Sequence, residues 1–534
     1  MTSTSPEKPP TPRSPLVVAS DPPASSSAQQ GNSANNPSWR CPDEIWEHIF
    51  SDLVESGGTF YGVVLASVRF YFLVLGHHLA RVSWRDQDTF AKSADFYDRV
   101  LYDATTGKSN RLTVNTDIFL QTTELMLGSR TIPFPTTSTH PFDYIRMFNL
   151  ITFFDNLSHL VIARVVFPLD RLFGWLACFK RLESVGLVDV CTSSFDWRIS
   201  SSSIAQHAPY CRSIKTVEVQ GYYSSHAQYS TLLPVLVLLT LPSVKAWKLD
   251  WTAFRISWIF ITNHSIDDPS GRLYFVIPHH RSSANFPQEF CLPPDLSSVE
   301  LLIAHTGSWL HAPIAEPDTA GLFVMEFLSH CSSSICRFRV DGWVSARYWS
   351  GFRIASPFLS DLAVPMHLTY ILLPPYSPNL KKLSLLPLVY QDFEVALGIT
   401  REIVRLPAVE VFQVAVVKAT PVLFASIANM FPHLKTLYLY VSGDCLTKEG
   451  LLDLGCTFFR ACRRMEVFHL YAPKNSSSSH YTEEDMASFV VEWGSIAAGL
   501  RELRLSVDRY YTRSAGISWF SVKERATGWE LYNF

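Results

Sequence analysis

His330, Cys331 and Cys336 stand close together, and imidazole and thiolate are the usual ligands of a structural zinc ion. Such a site needs a second ligand pair at matching spacing, and none follows, so buried thiols in a packed core are the stronger reading. Gly107-Lys108-Ser109 resembles the end of a phosphate-binding loop. The position of that loop's first glycine holds Tyr102, however, and no clear buried strand precedes it. The pairs His77-His78 and His279-His280 are adjacent, without the i, i+4 spacing that puts two imidazoles on one helix face. No G-x-S-x-G, H-E-x-x-H or G-x-G-x-x-G pattern occurs. These residues imply neither a catalytic centre, nor a metal, nor an organic cofactor. The expectation is a binding protein and not an enzyme.

The elements that would position a binding site have to come from the rest of the chain. Of 534 residues, 47% are hydrophobic and only 17% charged, enough apolar surface to fold most of the length. Charge sums to 45 minus 48, or −3, which gives no global electrostatic footprint for nucleic acid or an anionic membrane. Neither is expected as a partner. The ten cysteines are scattered from Cys41 to Cys462 beside apolar runs, as reduced and mostly buried thiols would be. The N-terminus has no apolar run of a signal peptide, and the most hydrophobic stretch, Leu232 to Leu241, contains Pro234 and is too short to span a membrane. A cytoplasmic or nuclear location is expected, which removes the meaning of the N-x-Ser sequences at Asn156, Asn263 and Asn475.

Residues 1–38 are rich in Ser and Pro and too poor in apolar side chains to offset ordering entropy, so a disordered tail is expected. Ser5-Pro6, Thr11-Pro12 and Ser14-Pro15 are candidate phosphorylation sites within it. Order is expected from Cys41. Pro42 suits a first helical turn, Asp43 and Glu44 suit the positive end of the helix dipole, and Ile45, Ile49 and Leu53 recur on one face. Gly57-Gly58 ends that helix, and the apolar positions from Val63 to Leu79 supply one or two more.

This segment resembles the F-box proteins, whose opening pattern is matched by Pro42, Glu44, Ile45, Ile49, Phe50 and Leu53. Leu65, Val68, Arg69 and Phe70 are similar to the family's second helical signature, and His78 to Trp84 to the closing segment of many fungal members. Cys41 stands where Leu is usual, and the double glycine replaces the ordinary connection. The resemblance implies docking on the Skp adaptor of a cullin-based ubiquitin ligase, through Pro42, Glu44, Ile45, Ile49, Phe50, Leu53, Leu65 and Val68. Helical periodicity alone is equally served by a cap on the end of a solenoid.

A unit, apolar-x-x-apolar-x-apolar, recurs through the rest of the chain. It is found at Leu157/Leu160/Ile162, Leu182/Val185/Leu187, Ile214/Val217/Val219, Val244/Trp247/Leu249, Leu296/Val299/Leu301 and Ile335/Phe338/Val340. It continues at Leu380/Leu383/Leu385, Val409/Phe412/Val414, Leu434/Leu437/Leu439, Met465/Phe468/Leu470 and Leu500/Leu503/Leu505. Pro242, Pro294, Pro378, Pro407 and Pro432 each lie two residues before a first apolar position, where 11 × 33/534 predicts about 0.7 prolines. In all units but one, the exception being Cys336, a polar or charged residue follows the first apolar one.

The last two apolar residues of a unit alternate on one face of a strand, with the residue between them pointing outward. Helical patterns at Pro421 to Phe431, Lys448 to Cys462 and Thr482 to Ala498 lie between units. This alternation resembles a leucine-rich-repeat horseshoe, though intervals between first positions, from 25 to 52 residues, are long and uneven. The expected fold class is α/β: an irregular leucine-rich-repeat-like solenoid over 151–534, with a terminal strand or cap from Trp519. A small helical unit over 39–100 and a connecting region over 101–150 precede it.

The outward column then reads Val161, Gly186, Glu218, Lys248, Glu300, Arg339, Ser384, Gln413, Tyr438, His469 and Arg504. Lys248, Glu300, Arg339, Tyr438, Tyr440, His469, Tyr471 and Arg504 are the candidate target-binding residues, since Tyr and Arg are favoured at interface hot spots. Exposed strand positions also carry Tyr simply for sheet packing. The functional expectation is a substrate receptor that joins the adaptor to an unidentified target protein, the alternative being a repeat scaffold outside the ubiquitin pathway.

Overall fold

The computed structural model describes Trp46 and residues 79–106, 120–128, 144–190, 197–221, 233–262, 291–303, 317–331, 333–342, 344–345, 357–368, 379–386, 406–441, 448–471, 482–505, 509–514 and 518–523. The tail 1–38 and the adaptor-contact residues Pro42, Glu44, Ile45, Ile49, Phe50, Leu53, Leu65 and Val68 lie outside them.

Among the described residues one sheet of sixteen strands follows chain order from end to end. Its first half comprises β1 (Arg81–Trp84), β2 (Glu124–Gly128), β3 (His159–Ala163), β4 (Ser184–Val188), β5 (Thr216–Gln220), β6 (Ala246–Asp250), β7 (Ser298–Ile303) and β8 (Arg337–Gly342). Its second half comprises β9 (Asp361–Pro365), β10 (Lys382–Leu386), β11 (Val411–Val416), β12 (Thr436–Val441), β13 (Val467–Tyr471), β14 (Glu502–Arg504), β15 (Arg509–Ser514) and β16 (Ser518–Lys523). β1 to β14 pair in parallel, and β15 and β16 close the C-terminal end as an antiparallel hairpin. This is an α/β leucine-rich-repeat-like solenoid.

Each of the eleven units supplies a strand. Its first apolar residue lies just before the strand and its other two point into one continuous core, as Leu434, Leu437 and Leu439 do. A fourth core position precedes the unit by three residues, occupied for example by Phe431, Leu406, Leu241 and Cys462. Its carbonyl accepts the N–H of the first apolar residue: Leu434 N to Phe431 O is 3.1 Å, Val409 to Leu406 3.2 Å and Val244 to Leu241 3.0 Å. Proline two residues before the unit is therefore the second residue of a turn, where its fixed φ helps and its missing N–H is not needed. That is the physical origin of the proline excess.

Four strands were not anticipated: β1, β2, β9 and β15, the first strand of the C-terminal hairpin. Leu359/Leu362/Val364 of β9 fit the pattern and even follow Pro357, dividing the interval from 335 to 380 into 359 − 335 = 24 and 380 − 359 = 21 residues. β2 escaped because Thr122 holds the first apolar position, fully buried, with its hydroxyl donating to the Leu79 carbonyl at 2.9 Å. β1 lies in the segment assigned to the helical unit. Because β1 and β2 share the sheet, the sheet begins at Arg81 and not at 151, and the expected connecting region contributes a strand to it.

The convex side carries helices. Those used below are α1 (Gln87–Thr106), α2 (Leu233–Leu239), α3 (Trp251–Thr262), α4 (Pro317–Cys331), α5 (Pro421–Met430), α6 (Lys448–Ala461) and α7 (Glu483–Ile496). The apolar stretch around Pro234 is α2, buried along nearly its whole length. α3 accounts for the start of the long insertion after residue 250. Thr420 caps α5, and Thr482 with Asp485 forms a capping box on α7, so these starts were local signals. α1 runs directly to Thr106, so a helix and not a strand precedes Gly107, which removes the context a phosphate loop needs.

Large aromatics fill the space between helices and sheet. Trp493 of α7 stacks on Phe489 and packs against Phe459 and Phe468. Its indole lies directly on Gly455 of α6 and donates to Leu452 O at 3.4 Å. Cys211, Cys331 and Cys462 are buried, and burial pushes each thiol up to about 12. Cys178 and Cys291 are exposed, so the expectation of mostly buried thiols fails for these two.

A methyl at residue 455 would overlap the Trp493 ring. Alanine in a helix normally gains about 1 kcal/mol over glycine, but overpacking here costs about 1–3 kcal/mol. Gly455→Ala should lower the denaturation midpoint, while Gly499→Ala, which meets only ordinary contact with Met465 O, should leave it near wild type. Circular dichroism melts of the two variants check this.

Candidate functional site on the concave face

Strand register converts the outward positions into one column. Val161, Gly186, Glu218, Lys248, Glu300 and Arg339 are consecutive Cα partners from β3 to β8. Ala363 of β9 comes next, and Ser384, Gln413, Tyr438, His469 and Arg504 complete it. A parallel column two residues further along each strand places Asp341, Tyr440 and Tyr471 beside it.

In the middle of the face the charges alternate and neutralise one another. Lys248 Nζ lies 3.7 Å from Glu218, Arg339 Nε 3.6 Å from Glu300, and Arg339 Nη2 3.4 Å from Asp341. Gln220 Nε2 donates to Glu218 at 2.8 Å. The candidate target-binding residues Lys248, Glu300 and Arg339 are thus each held in a cross-strand ion pair, Lys248 with Glu218 and Arg339 with Glu300. Partly exposed pairs of this kind contribute up to about 1 kcal/mol each and fix register.

At the C-terminal end the register brings Tyr438, Tyr440, His469, Tyr471 and Arg504 together across three neighbouring strands. The Tyr440 and Tyr471 rings stack at 4.5 Å and 12°. Tyr438 meets His469 edge to face at 5.0 Å, and the Arg504 guanidinium lies over the Tyr471 ring at 5.1 Å. His469 and Arg504 are only 6% and 8% exposed although they point to the concave side. Burial of that kind requires hydrogen-bond partners.

Those partners form a chain. Arg504 Nη1 donates to the Tyr471 hydroxyl oxygen at 3.5 Å, that hydroxyl lies 2.8 Å from His469 Nδ1, and His469 Nε2 lies 2.7 Å from Glu502 Oε1. A neutral imidazole with its proton on Nε2 satisfies every contact in one direction: Arg504 to Tyr471 to His469 to Glu502. Glu502 was not among the expected site residues. It sits one column back, and only the pairing of β13 with β14 places it beside His469. The His469 hydrogen bond holds its carboxyl below the usual glutamate range, against the opposing effect of burial. Burial and the adjacent Tyr471 hydroxyl push the Tyr440 phenol upward, so it stays a neutral donor. The result is a fixed aromatic platform with its polar edges held in place, which suits binding because little side-chain entropy remains to be lost.

Among the described residues no group of three or more His, Cys, Asp and Glu side chains could hold a metal ion. His330 instead bonds its own helix, Nδ1 to Glu326 O at 2.8 Å, and Cys336 Sγ donates to Ser297 O at 3.3 Å. No described helix is long and apolar enough to cross a membrane.

Since the Glu502 carboxyl is depressed in the folded chain, its stabilising contribution is present above the ordinary glutamate value of 4.5 and is lost as pH falls below it. Glu502→Gln should therefore flatten the loss of stability between about pH 5 and about pH 3 relative to wild type. Chemical denaturation across that range measures it, and an unchanged pH slope would remove Glu502 from the network.

No family model matches the chain, and no curated protein matches it. Among solved structures it is similar to the crystal structure of the Rad7 and Elc1 complex in yeast, at 10% identity and TM-score 0.37, covering 85% of this chain and 96% of that one. It is also similar to the TLR13–ssRNA13 complex, at 12% identity and TM-score 0.28, covering 73% of this chain and 41% of that one. The leucine-rich-repeat-like assignment rests on the strand register itself.

Proposed function

We propose that this chain is the substrate-recognition subunit of a Skp–cullin–F-box ubiquitin ligase, binding the Skp adaptor through the F-box-like helices and a target protein through the concave face. The chain performs no chemistry. Its contribution is proximity, because holding target and charged carrier in one assembly makes transfer effectively intramolecular.

The observation that supports this reading most is the junction. The segment His78 to Trp84, which closes the F-box-like pattern, is also the start of the solenoid: Leu79 is a core residue and Trp84 ends β1, fully buried against Phe90 and Phe154. In the sequence the closing segment of the F-box-like pattern runs directly into β1. A target on the concave face would then be held near the adaptor-docking pattern, as proximity requires. The platform of Tyr438, Tyr440, Tyr471, His469 and Arg504 is the best-organised place for that target.

Replacing both Ile45 and Ile49 by Asp in the full chain should reduce co-purification of the Skp adaptor at least about tenfold, with the unfolding midpoint unchanged. Capture at the wild-type level would reject the F-box role and leave a repeat scaffold.

A further inference from the structure

Parallel strands put all their N-terminal ends on one edge of the solenoid, together with the turns that lead into them. Three positions per repeat lie on that rim: the two before the first apolar residue and the one after it. In the first half of the sheet they carry Lys180, Arg181, Arg212, Lys215 and Lys245, all exposed. In the second half they carry Lys381, Lys435, Arg463, Arg464 and Arg501. The described carboxylates at the same positions are Asp155, Glu183, Asp295, Glu410 and Glu466. Ten cations against five anions give the rim +5, on a chain whose total is −3.

The carboxylates do not cancel the field evenly. Glu183 takes Lys215 at 2.5 Å, Glu410 takes Lys435 at 2.9 Å and Glu466 takes Arg501 at 2.9 Å. Lys180, Arg181, Arg212 and Lys245 remain as one cationic group, and Lys381, Arg463 and Arg464 as another. Between them the rim positions of β7 to β9 carry no cation and one carboxylate, Asp295, beside Ser297, Cys336 and Ser360. From β5 to β12 is seven strand spacings of about 4.8 Å, or roughly 34 Å.

We infer that this rim docks an acidic polypeptide segment of the target, an inference that rests on the protein-receptor reading above. An extended segment of about ten residues spans the two cationic groups. Its carboxylates can be placed at the ends, against exposed guanidinium and ammonium groups, and an uncharged middle over the cation-free repeats, where Asp295 would repel an acidic one. A continuous phosphate backbone fits less well, because the cation-free repeats with Asp295 leave its middle unpaired and repelled. Helix dipoles alone also favour cations here: α5, α6 and α7 end against the rim turns, and their C-termini are negative. That effect acts on stability, whereas docking acts on binding, so the two separate experimentally.

The test uses the full chain and a fluorescein-labelled peptide of about twelve residues, glutamates at both ends and Gly-Ser in the middle, read by anisotropy against salt. Binding should weaken steeply with salt, and Arg212→Glu, Lys245→Glu, Lys381→Glu and Arg464→Glu combined should weaken it at least about tenfold while adaptor capture persists. The same four positions changed to Gln should give an intermediate loss and an unchanged unfolding midpoint. Absence of salt-sensitive binding, or equal affinity of the reversed variant, overturns the proposal without touching the adaptor assignment. So does a lowered midpoint in the Gln variant with unchanged peptide affinity, which would assign the cations to the helix ends. Tighter binding of a DNA duplex of matched length than of the peptide overturns the polypeptide assignment.

Discussion

In each repeat one backbone carbonyl, that of the residue after the first apolar position, accepts two successive N–H groups from the next repeat. Thr123 O takes Ser158 and His159, Ser158 O takes Glu183 and Ser184, and the pattern continues to Glu466 O, which takes Arg501 and Glu502, at distances of 2.7 to 3.1 Å. Both lone pairs of the carbonyl are used, and the first strand residue of every repeat is thereby fixed against its neighbour. A slip of one residue would turn the whole apolar set of a strand outward, so this junction and the core enforce the same register. Where the residue is Ser or Cys its side chain adds to the junction: Ser158, Ser297 and Ser360 hydroxyls and the Cys336 thiol all donate to the preceding carbonyl.

Everything of functional interest follows from that register. The alternating ladder of Glu218, Lys248, Glu300 and Arg339 exists because four strands spread over more than a hundred residues are held side by side without offset. The Tyr471–His469–Glu502 chain exists because β13 and β14 align His469 with Arg504 and put Glu502 one column back. Insertions of very different length between strands change neither alignment, since the connecting chain leaves and re-enters at the same two points of each repeat. Solenoids tolerate such insertions because each repeat contacts only its neighbours.

The concave platform and the rim differ in how they are built. The platform is rigid: stacked rings and a directed hydrogen-bond chain bury His469 and Arg504 and leave few rotamers to freeze on binding. The rim is a field of exposed cations on turns, effective over a distance of several ångströms and sensitive to salt. A target that touched both would be attracted by one and held by the other.

The sequence by itself determined the repeating unit and therefore the class of fold. Apolar alternation with period two, proline at the second turn residue, and the helix starts at Thr420 and Thr482 are local properties, readable without knowing what lies next to them. Where the local signal was altered the reading failed: a buried, internally bonded Thr122 hid β2, and β9 went unnoticed within a long interval. The outward column was legible because register in a parallel solenoid is set by the same apolar residues that reveal the unit. Which members of the column pair with each other was not. Pairing of Lys248 with Glu218 and of Arg339 with Glu300, recruitment of Glu502, and collection of cations on one rim depend on distances between residues far apart in sequence. Only the packing of one repeat on the next supplies those distances.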